Sequence, residues 1–202
     1  RVTALVARAG CPVLVGAAKD LASISDAKND QGVVAAVRLP SEEAIPAGGC
    51  LVLDGVQDPG NVGTLIRTAA WFGMTSVICG PDSADPYQPK VVRSSQGGLW
   101  DVTVLRRATM EAVLSDLGDR TVFVADMDGV DLGDWNPPAD AALVIGSEAH
   151  GPSAELKAVA ANLVTIAGSG PMGTESLNAA VAGGILLQHW TSVSKRGAHS
   201  GQ

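Results

Sequence analysis

The sequence has 202 residues, which is enough for one full domain and part of another. Apolar residues make up 46% of it, so it can bury a sizeable core, but no run approaches the ~20 apolar residues that a membrane-spanning helix needs. The net charge of −7 argues against a generic nucleic-acid-binding protein, so a nucleic-acid partner would require a local basic surface or one upstream of Arg1.

The cysteines and histidines predict neither a disulfide framework nor a metal site. The three cysteines are odd in number and widely spaced, and no Cys/His cluster has metal-ligand spacing. We therefore expect no bound metal, and we interpret Cys11, Cys50 and Cys79 as buried thiols in a reducing cytoplasm.

Residues 1–39 have the pattern of a small α/β piece. The apolar runs PVLVGA and GVVAAVRL predict strands, and DLASISDA between them predicts a helix. Residues 40–49, PSEEAIPAGG, contain two prolines and two glycines and predict a linker.

From residue 50 to residue 193, apolar runs alternate with helical patterns. Runs such as TVFVA and ALVIG are continuous, which is typical of parallel strands covered on both faces. The pattern predicts a doubly wound α/β domain, followed by a tail at 194–202. Strands are predicted at 51–54, 75–79, 102–105, 121–125, 141–145 and 163–166, and helices at 61–72, 88–95, 109–117, 152–160 and 175–191.

The first motif is DGVQDPGNVGTLIR, residues 54–67, in which a strand leads into a turn and a helix. Asn61 lies where a helix N-cap is expected, so capping and a direct chemical role are equally open. Arg67 is a lone charge on an otherwise almost wholly apolar helix. It is either a surface cation or a functional arginine that needs an anionic partner.

The second motif is LVIGSEAHG, residues 143–151, a buried strand followed by a glycine-rich turn. Gly146 would let a ligand approach the main chain. Glu148 suits either the positive N-terminus of the helix that follows or a role in the site.

The third motif is PMGTESLNAAVA, residues 171–182, which opens the C-terminal helix. Ser176 and Asn178 lie in its first turn, where capping and a direct role are again both open. The helix is apolar along nearly its whole length, so we expect burial on all sides and a homodimer in which the partner subunit covers one face.

A basic pair lies between the first two motifs, in the segment KVVRSS. Lys90 and Arg93 fall in a short predicted helix that a Ser-rich turn follows. Two interpretations of this pair are open: it lies on a solvated face, or it binds RNA phosphate.

In order and spacing, these motifs resemble the SpoU (TrmH) family of the SPOUT superfamily over roughly residues 50–190. The family's members are S-adenosylmethionine-dependent methyltransferases that modify a ribose 2′-hydroxyl in tRNA or rRNA. The resemblance implies a SPOUT-type parallel sheet with a C-terminal trefoil knot, and a homodimer whose subunits complete each other's sites. Residues 1–39 resemble the C-terminal part of the small α/β substrate (RNA)-binding domain that precedes many such enzymes.

The resemblance also implies roles for individual residues. The implied catalytic set is Asn61, Arg67, Glu148, Ser176 and Asn178. The implied cofactor contacts are Gly146, Ile166, Met172, Ser176 and Leu177, and the implied RNA contacts are Lys90 and Arg93. The family pattern Ile-Pro-Met is interrupted here as IAGSGPM, which predicts a longer loop.

Two other functions are weighed against this one. A non-catalytic RNA-binding protein on the same fold would be favoured if Arg67 or Asn178 were absent, and both are present. A nucleotide-dependent oxidoreductase would need GxGxxG after the first strand, and the nearest string, GNVG, has the wrong spacing. We therefore expect an RNA 2′-O-ribose methyltransferase.

Overall fold

The computed structural model describes residues 7, 8, 10–25, 32–40, 44–168 and 176–199. Contacts between Cα atoms divide the chain into two units, Arg1–Ser41 and Glu42–Gln202. The boundary between them falls inside the stretch that composition marks as a linker.

The described part of the first unit contains one named helix, α1 (Ala18–Ile24). Asp20 stabilises its start, because its carboxylate accepts a hydrogen bond from Ala17 N at 3.0 Å. The two strands predicted at 12–17 and 32–39 are wrong, since neither segment is a strand. A strand needs a hydrogen-bonded neighbour and a face to bury. The described residues of this unit supply neither, and Leu14 and Val15 are 95% and 97% exposed.

In the second unit, the described residues form one six-stranded parallel sheet in the order β3-β2-β1-β5-β4-β6. The prediction of an α/β domain with a parallel sheet is confirmed. The strands are β1 (Cys50–Asp54), β2 (Ser76–Cys79), β3 (Thr103–Arg106), β4 (Val122–Asp131), β5 (Ala142–Gly146) and β6 (Asn162–Thr165).

Helices cover both faces of this sheet. They are α2 (Pro59–Trp71), α3 (Pro89–Ser94), α4 (Met110–Leu117), α5 (Ala154–Val159) and α6 (Ala179–His199), with short 3-10 helices at Gly98–Trp100 and Leu132–Asp134. The helix α6 extends to residue 199, past the predicted end at 191, because extending an existing helix costs much less than starting one. No helix in the described residues is both long and apolar enough to cross a membrane.

One face of the sheet is packed by α2 and α6, and the other by α4 and α5. On the first face, Leu65 of α2 lies against Gly183 of α6 so closely that a Cβ on the glycine would overlap the leucine side chain. Leu186, Leu187 and Trp190 of α6 are buried by the chain itself. Full burial of each leucine side chain contributes about 1.5–3 kcal/mol to the free energy of folding.

The buried strands also hold two of the cysteines. Burial raises the pKa of Cys50 to about 11 and that of Cys79 to about 12, so both thiols stay protonated at neutral pH. Cys11 is exposed, so the expectation of a buried thiol is wrong there. Among the described residues, its segment has no strand partner that would bury it.

The topology places the ends of β1 and β5 side by side. The chain passes from β1 to β2 and β3 on one side of the sheet, then returns to β4 and β5 on the other. Asp54, the last residue of β1, pairs with Gly146, the last residue of β5. In open α/β sheets such a reversal leaves a crevice at the carboxyl ends of the strands, where ligands bind.

Candidate active site

A cavity of about 710 Å³ opens at the carboxyl ends of β4, β5 and β6. Four of the predicted cofactor residues line it: Gly146, Ile166, Ser176 and Leu177. The fifth, Met172, lies outside the described residues. The other lining residues are Ala125, Asp126, Met127, Ile145, Ser147, Glu148, Gly151, Pro152, Val164, Thr165, Gly168, Ala179, Ala182 and Leu186.

The turn between β1 and α2 is capped by Asp58. Its carboxylate accepts a hydrogen bond from Asn61 N at 2.9 Å, and Pro59 is the first residue of the helix. That hydrogen bond is the main reason why the pKa of Asp58 lies below its ordinary value, and the nearby ammonium of Lys90 adds to it. The interpretation of Asn61 as the N-cap is therefore wrong, and its side chain is free for other contacts.

Side-chain hydrogen bonds join the three motifs. Asn61 donates from Nδ2 to Glu148 Oε1 at 2.6 Å, and Asn178 donates from Nδ2 to Asn61 Oδ1 at 3.0 Å. The Oδ1 atom of Asn178 in turn accepts from the main-chain nitrogens of Ala180 and Val181, so it caps α6. The capping interpretation of Asn178 is confirmed, and the same side chain also bonds to Asn61, whereas its direct chemical role stays a prediction. Three loops that are far apart in the sequence meet at this chain of polar groups.

The turn that follows β5 carries Glu148. Ser147 O accepts a hydrogen bond from Gly151 N at 2.8 Å, and Gly151 has a φ of +68°, which favours glycine. A Cβ on Gly146 would overlap the main chain of Gly151 and Pro152. Close approach by the chain's own turn therefore explains this glycine, where the sequence suggested approach by a ligand.

Asp54, at the end of β1, supports the turn after β5, and sequence reasoning did not identify this residue. It is the only buried charged side chain in the described part of the chain, at 7% exposure. Its Oδ2 atom accepts a hydrogen bond from Ser153 N at 2.6 Å. A carboxylate that ends an otherwise apolar strand, CLVLD, is a signal that could have revealed it, because burial of a charge requires compensating hydrogen bonds.

Arg67, Lys90 and Arg93 do not line the cavity. All three are exposed, and the side chain of Arg67 makes no hydrogen bond or ion pair with any other described residue. Lys90 forms an exposed ion pair with Asp58 at 3.4 Å. The serines that follow are used internally: Ser94 Oγ bonds to main-chain carbonyls that include Pro59 O, and Ser95 is buried.

The cavity's outer wall was also missed by sequence reasoning. The predicted strand at 121–125 continues to Asp131, and Asp126 and Met127 of this extension line the cavity. Burial acts to raise the pKa of Asp126, but hydrogen bonds from Lys157 and from Asp128 N outweigh it and hold the pKa below its ordinary value. The segment DMDG, residues 126–129, lacks the apolar pattern that predicts a strand, so the extension could not be predicted from the sequence.

Within the described residues, no group of three or more His, Cys, Asp or Glu side chains is placed to hold a metal ion. His150 is exposed in the turn after β5, and His189 bonds through Nε2 to Trp135 O at 2.9 Å. The polar side chains at the site are amides, hydroxyls and carboxylates.

A model of the SpoU rRNA Methylase family matches residues 49–188. The chain belongs to this family. The match spans all six strands and all three motifs.

Relatives within and near the SpoU family agree with this match. The 23S rRNA (guanosine(2553)-2′-O)-methyltransferase RlmP of Bacillus subtilis is 34% identical over 171 residues, which cover 83% of this chain and 67% of that protein. A TrmH-family protein from Porphyromonas gingivalis has 42% identity and a TM-score of 0.67, over 74% of this chain and 61% of that one. An AdoMet-bound rRNA methyltransferase from Sinorhizobium meliloti has 29% identity and a TM-score of 0.67, over 77% and 59%.

The chain thus spans about two thirds or less of the length of each of these SpoU relatives.

Proposed function

We propose that this protein transfers a methyl group from S-adenosylmethionine to a ribose 2′-hydroxyl in rRNA or tRNA. The observation that carries the proposal is the hydrogen-bonded chain Glu148–Asn61–Asn178 at the edge of the cavity, in a chain of the SpoU family. Positioned polar groups beside an enclosed ligand site are what a methyl transfer needs, since orientation supplies much of its rate.

The cavity suits S-adenosylmethionine in size and in charge. Its volume falls within the range of roughly 300–1,000 Å³ that is usual for small-molecule sites. Its described lining includes the carboxylates of Asp126 and Glu148 but no lysine or arginine, which favours a ligand with a positive sulfonium. Main-chain groups near Gly146, Ile166 and Leu177 would hold the cofactor, and we assign Met172 to the same role.

When bound, S-adenosylmethionine supplies an electrophilic methyl group on a sulfonium. Methylation of the ribose hydroxyl releases its proton, which passes to solvent, and leaves S-adenosylhomocysteine as the second product. The residues of the chain must orient that hydroxyl and stabilise the charge that develops on its oxygen. The amides of Asn61 and Asn178 are held by Glu148 and by the start of α6, so they can orient the sugar, with Ser176 beside them. An arginine keeps its proton at neutral pH, so Arg67 stabilises the oxygen electrostatically and does not act as a base.

The position of Arg67 supports a homodimer. It follows Asn61 by six residues, so it lies about 9 Å further along α2 and on a different side of the helix. Its guanidinium is exposed and outside the cavity of its own chain. We propose that it reaches the site of a partner subunit.

The surface near Arg67 is also apolar enough for such an interface. Trp71 on α2 is 83% exposed and Val181 on α6 is 51% exposed, and these two helices pack against each other. The chain itself covers more of α6 than the sequence suggested, because Leu186, Leu187 and Trp190 point inward. The exposed remainder is the proposed dimer face.

Several finer features follow from membership of the family and remain proposals. These are a trefoil knot that involves the C-terminal segment, a cytoplasmic location, catalysis without a metal, and residues 1–39 as part of an RNA-binding domain joined by a linker at 40–49 to a catalytic domain at 50–193. Lys90 and Arg93 are proposed to contact RNA phosphate, because both are exposed cations on the short helix α3.

The test combines binding with product mapping. The full chain is titrated with S-adenosylhomocysteine by calorimetry, then incubated with S-adenosylmethionine and RNA from a strain that lacks the gene. Mass spectrometry of nuclease digests should reveal one new 2′-O-methylated nucleotide. RNA binding without cofactor binding or methylation would instead identify a non-catalytic RNA-binding protein.

A further inference from the structure

A bulge in β4 forms one wall of the cavity. Ala125 and Val130 both pair with Val164 of β6, so the register shifts and residues 126–129 are extra residues in the strand. A Cβ on Gly129 would overlap the main chain of β6 at Val164, so the bulge crosses this strand closely. The extra residues cannot all use regular ladder hydrogen bonds, and other contacts must fix their conformation.

Asp126 makes those contacts with both of its carboxylate oxygens. Oδ1 accepts a hydrogen bond from Asp128 N at 3.1 Å, which fixes the shape of the bulge. Oδ2 lies 2.6 Å from Lys157 Nζ on α5. The side chain of Asp126 is only 11% exposed, so solvent screens this ion pair less than an ordinary surface pair.

The ion pair joins two walls of the cavity that lie beyond Val124 and Val144, the last residues at which β4 and β5 pair with each other. The turn after β5 leads directly into α5, which carries Lys157. Asp126 lies on the bulge of β4, and both the turn and the bulge line the cavity. Lys157 itself is not a lining residue, so it acts on the cavity only through Asp126.

We propose that Lys157 is a positioning residue for cofactor binding, which holds residues 126–129 against the cavity through its ion pair with Asp126. The identity of the ligand as S-adenosylmethionine rests on the proposed function. The effect of Lys157 on the bulge does not depend on that identity.

The experiment uses three variants of the full chain. Lys157→Met removes the charge but keeps a long side chain with good helix propensity, and Lys157→Arg keeps the charge. Arg106→Met is the matched control, because it breaks another ion pair, with Asp85 at 3.1 Å, whose two residues lie outside the cavity lining. Calorimetry gives the affinity for S-adenosylhomocysteine, and amide hydrogen exchange of ligand-free protein follows residues 126–129.

Lys157→Met should bind S-adenosylhomocysteine about tenfold more weakly, at the lower end of what a hydrogen bond between charged groups contributes. The same variant should exchange the amides of residues 126–129 faster than the wild type. Lys157→Arg should restore both properties, and Arg106→Met should change neither.

Unchanged exchange in Lys157→Met would overturn the proposal, because the ion pair would not then hold the bulge. Faster exchange with unchanged affinity would also overturn it, because the bulge would not then matter to the ligand. If the wild type itself bound no S-adenosylhomocysteine, the proposed function would fail as well, while hydrogen exchange would still show whether Lys157 orders the bulge.

Discussion

The cavity wall and the outer face of α2 differ in how their polar groups are satisfied. Around the cavity, Glu148, Asn61, Asn178 and Asp126 have hydrogen-bond or ionic partners within the chain. On the outer face of α2, Arg67 has no such partner among the described residues, and Trp71 is exposed beside it.

This difference separates two tasks. The chain builds the ligand cavity by itself, so cofactor binding should need no other molecule. If the exposed Arg67 pairs with an anion in the site of a partner subunit, as proposed, turnover should need RNA and a second subunit. Four variants, which together change five residues, test this contrast.

Replacing Arg67 with alanine should have the largest effect. Loss of one electrostatic stabiliser typically lowers kcat about 10²–10³-fold, while affinity for S-adenosylhomocysteine should stay within about twofold because Arg67 does not line the cavity. Single-turnover methylation and calorimetry measure the two quantities. Arg106→Ala, which removes another exposed arginine, should leave both unchanged. Near-wild-type turnover of Arg67→Ala on the correct RNA would show that its role is structural.

Replacing Asp54 with alanine should damage the cavity side. Ser153 N would lose its acceptor, which costs about 1–3 kcal/mol of unfolding free energy when a buried group is left unpaired. Urea denaturation measures that loss, and weaker binding of S-adenosylhomocysteine should accompany it because the turn after β5 loosens. Asp54→Asn keeps an oxygen acceptor and should lose less. Equal losses in both variants would mean that the hydrogen bond is not the cause.

Replacing both Lys90 and Arg93 with alanine should weaken RNA binding and should not change the ligand cavity. Each lost phosphate contact lowers the magnitude of the slope of log K against log salt by about 0.7–0.9, so the double variant should lose about 1.4–1.8. RNA affinity measured over a salt series gives the slope. An unchanged slope would place the RNA surface elsewhere.

Replacing Asp58 with alanine should have the smallest effect. Loss of the α2 cap costs about 1 kcal/mol at neutral pH, and Asp58→Asn should retain most of it because asparagine also caps well. The pKa of Asp58 is lowered in the folded protein, so the stabilisation by its carboxylate is present above the unfolded-state pKa and is lost as the pH falls through the folded-state pKa. The wild type and Asp58→Ala should therefore converge in stability at acidic pH, as urea denaturation would show. A constant difference down to low pH would contradict the assignment of the cap.

Sequence patterns located most elements of the second unit closely, because such patterns depend only on neighbouring residues. Apolar runs such as ALVIG marked strands within one or two residues, and α2 begins at Pro59, two residues before its predicted start. Local patterns failed where a partner was required. GVVAAVRL has the composition of a strand, but it forms none without a neighbour in the described residues.

The sequence alone predicted the alternation of strands and helices, the family, and the candidate site residues. The contacts of those side chains, by contrast, depend on the tertiary structure. It assigned the cap of α2 to Asp58 and so freed Asn61 to bond with Glu148 and Asn178. It also buried Asp54 behind a turn and placed Asp126 beside Lys157. The physical reason is range: helix and strand propensities act between neighbours along the chain, whereas these hydrogen bonds join residues brought together only when the sheet forms.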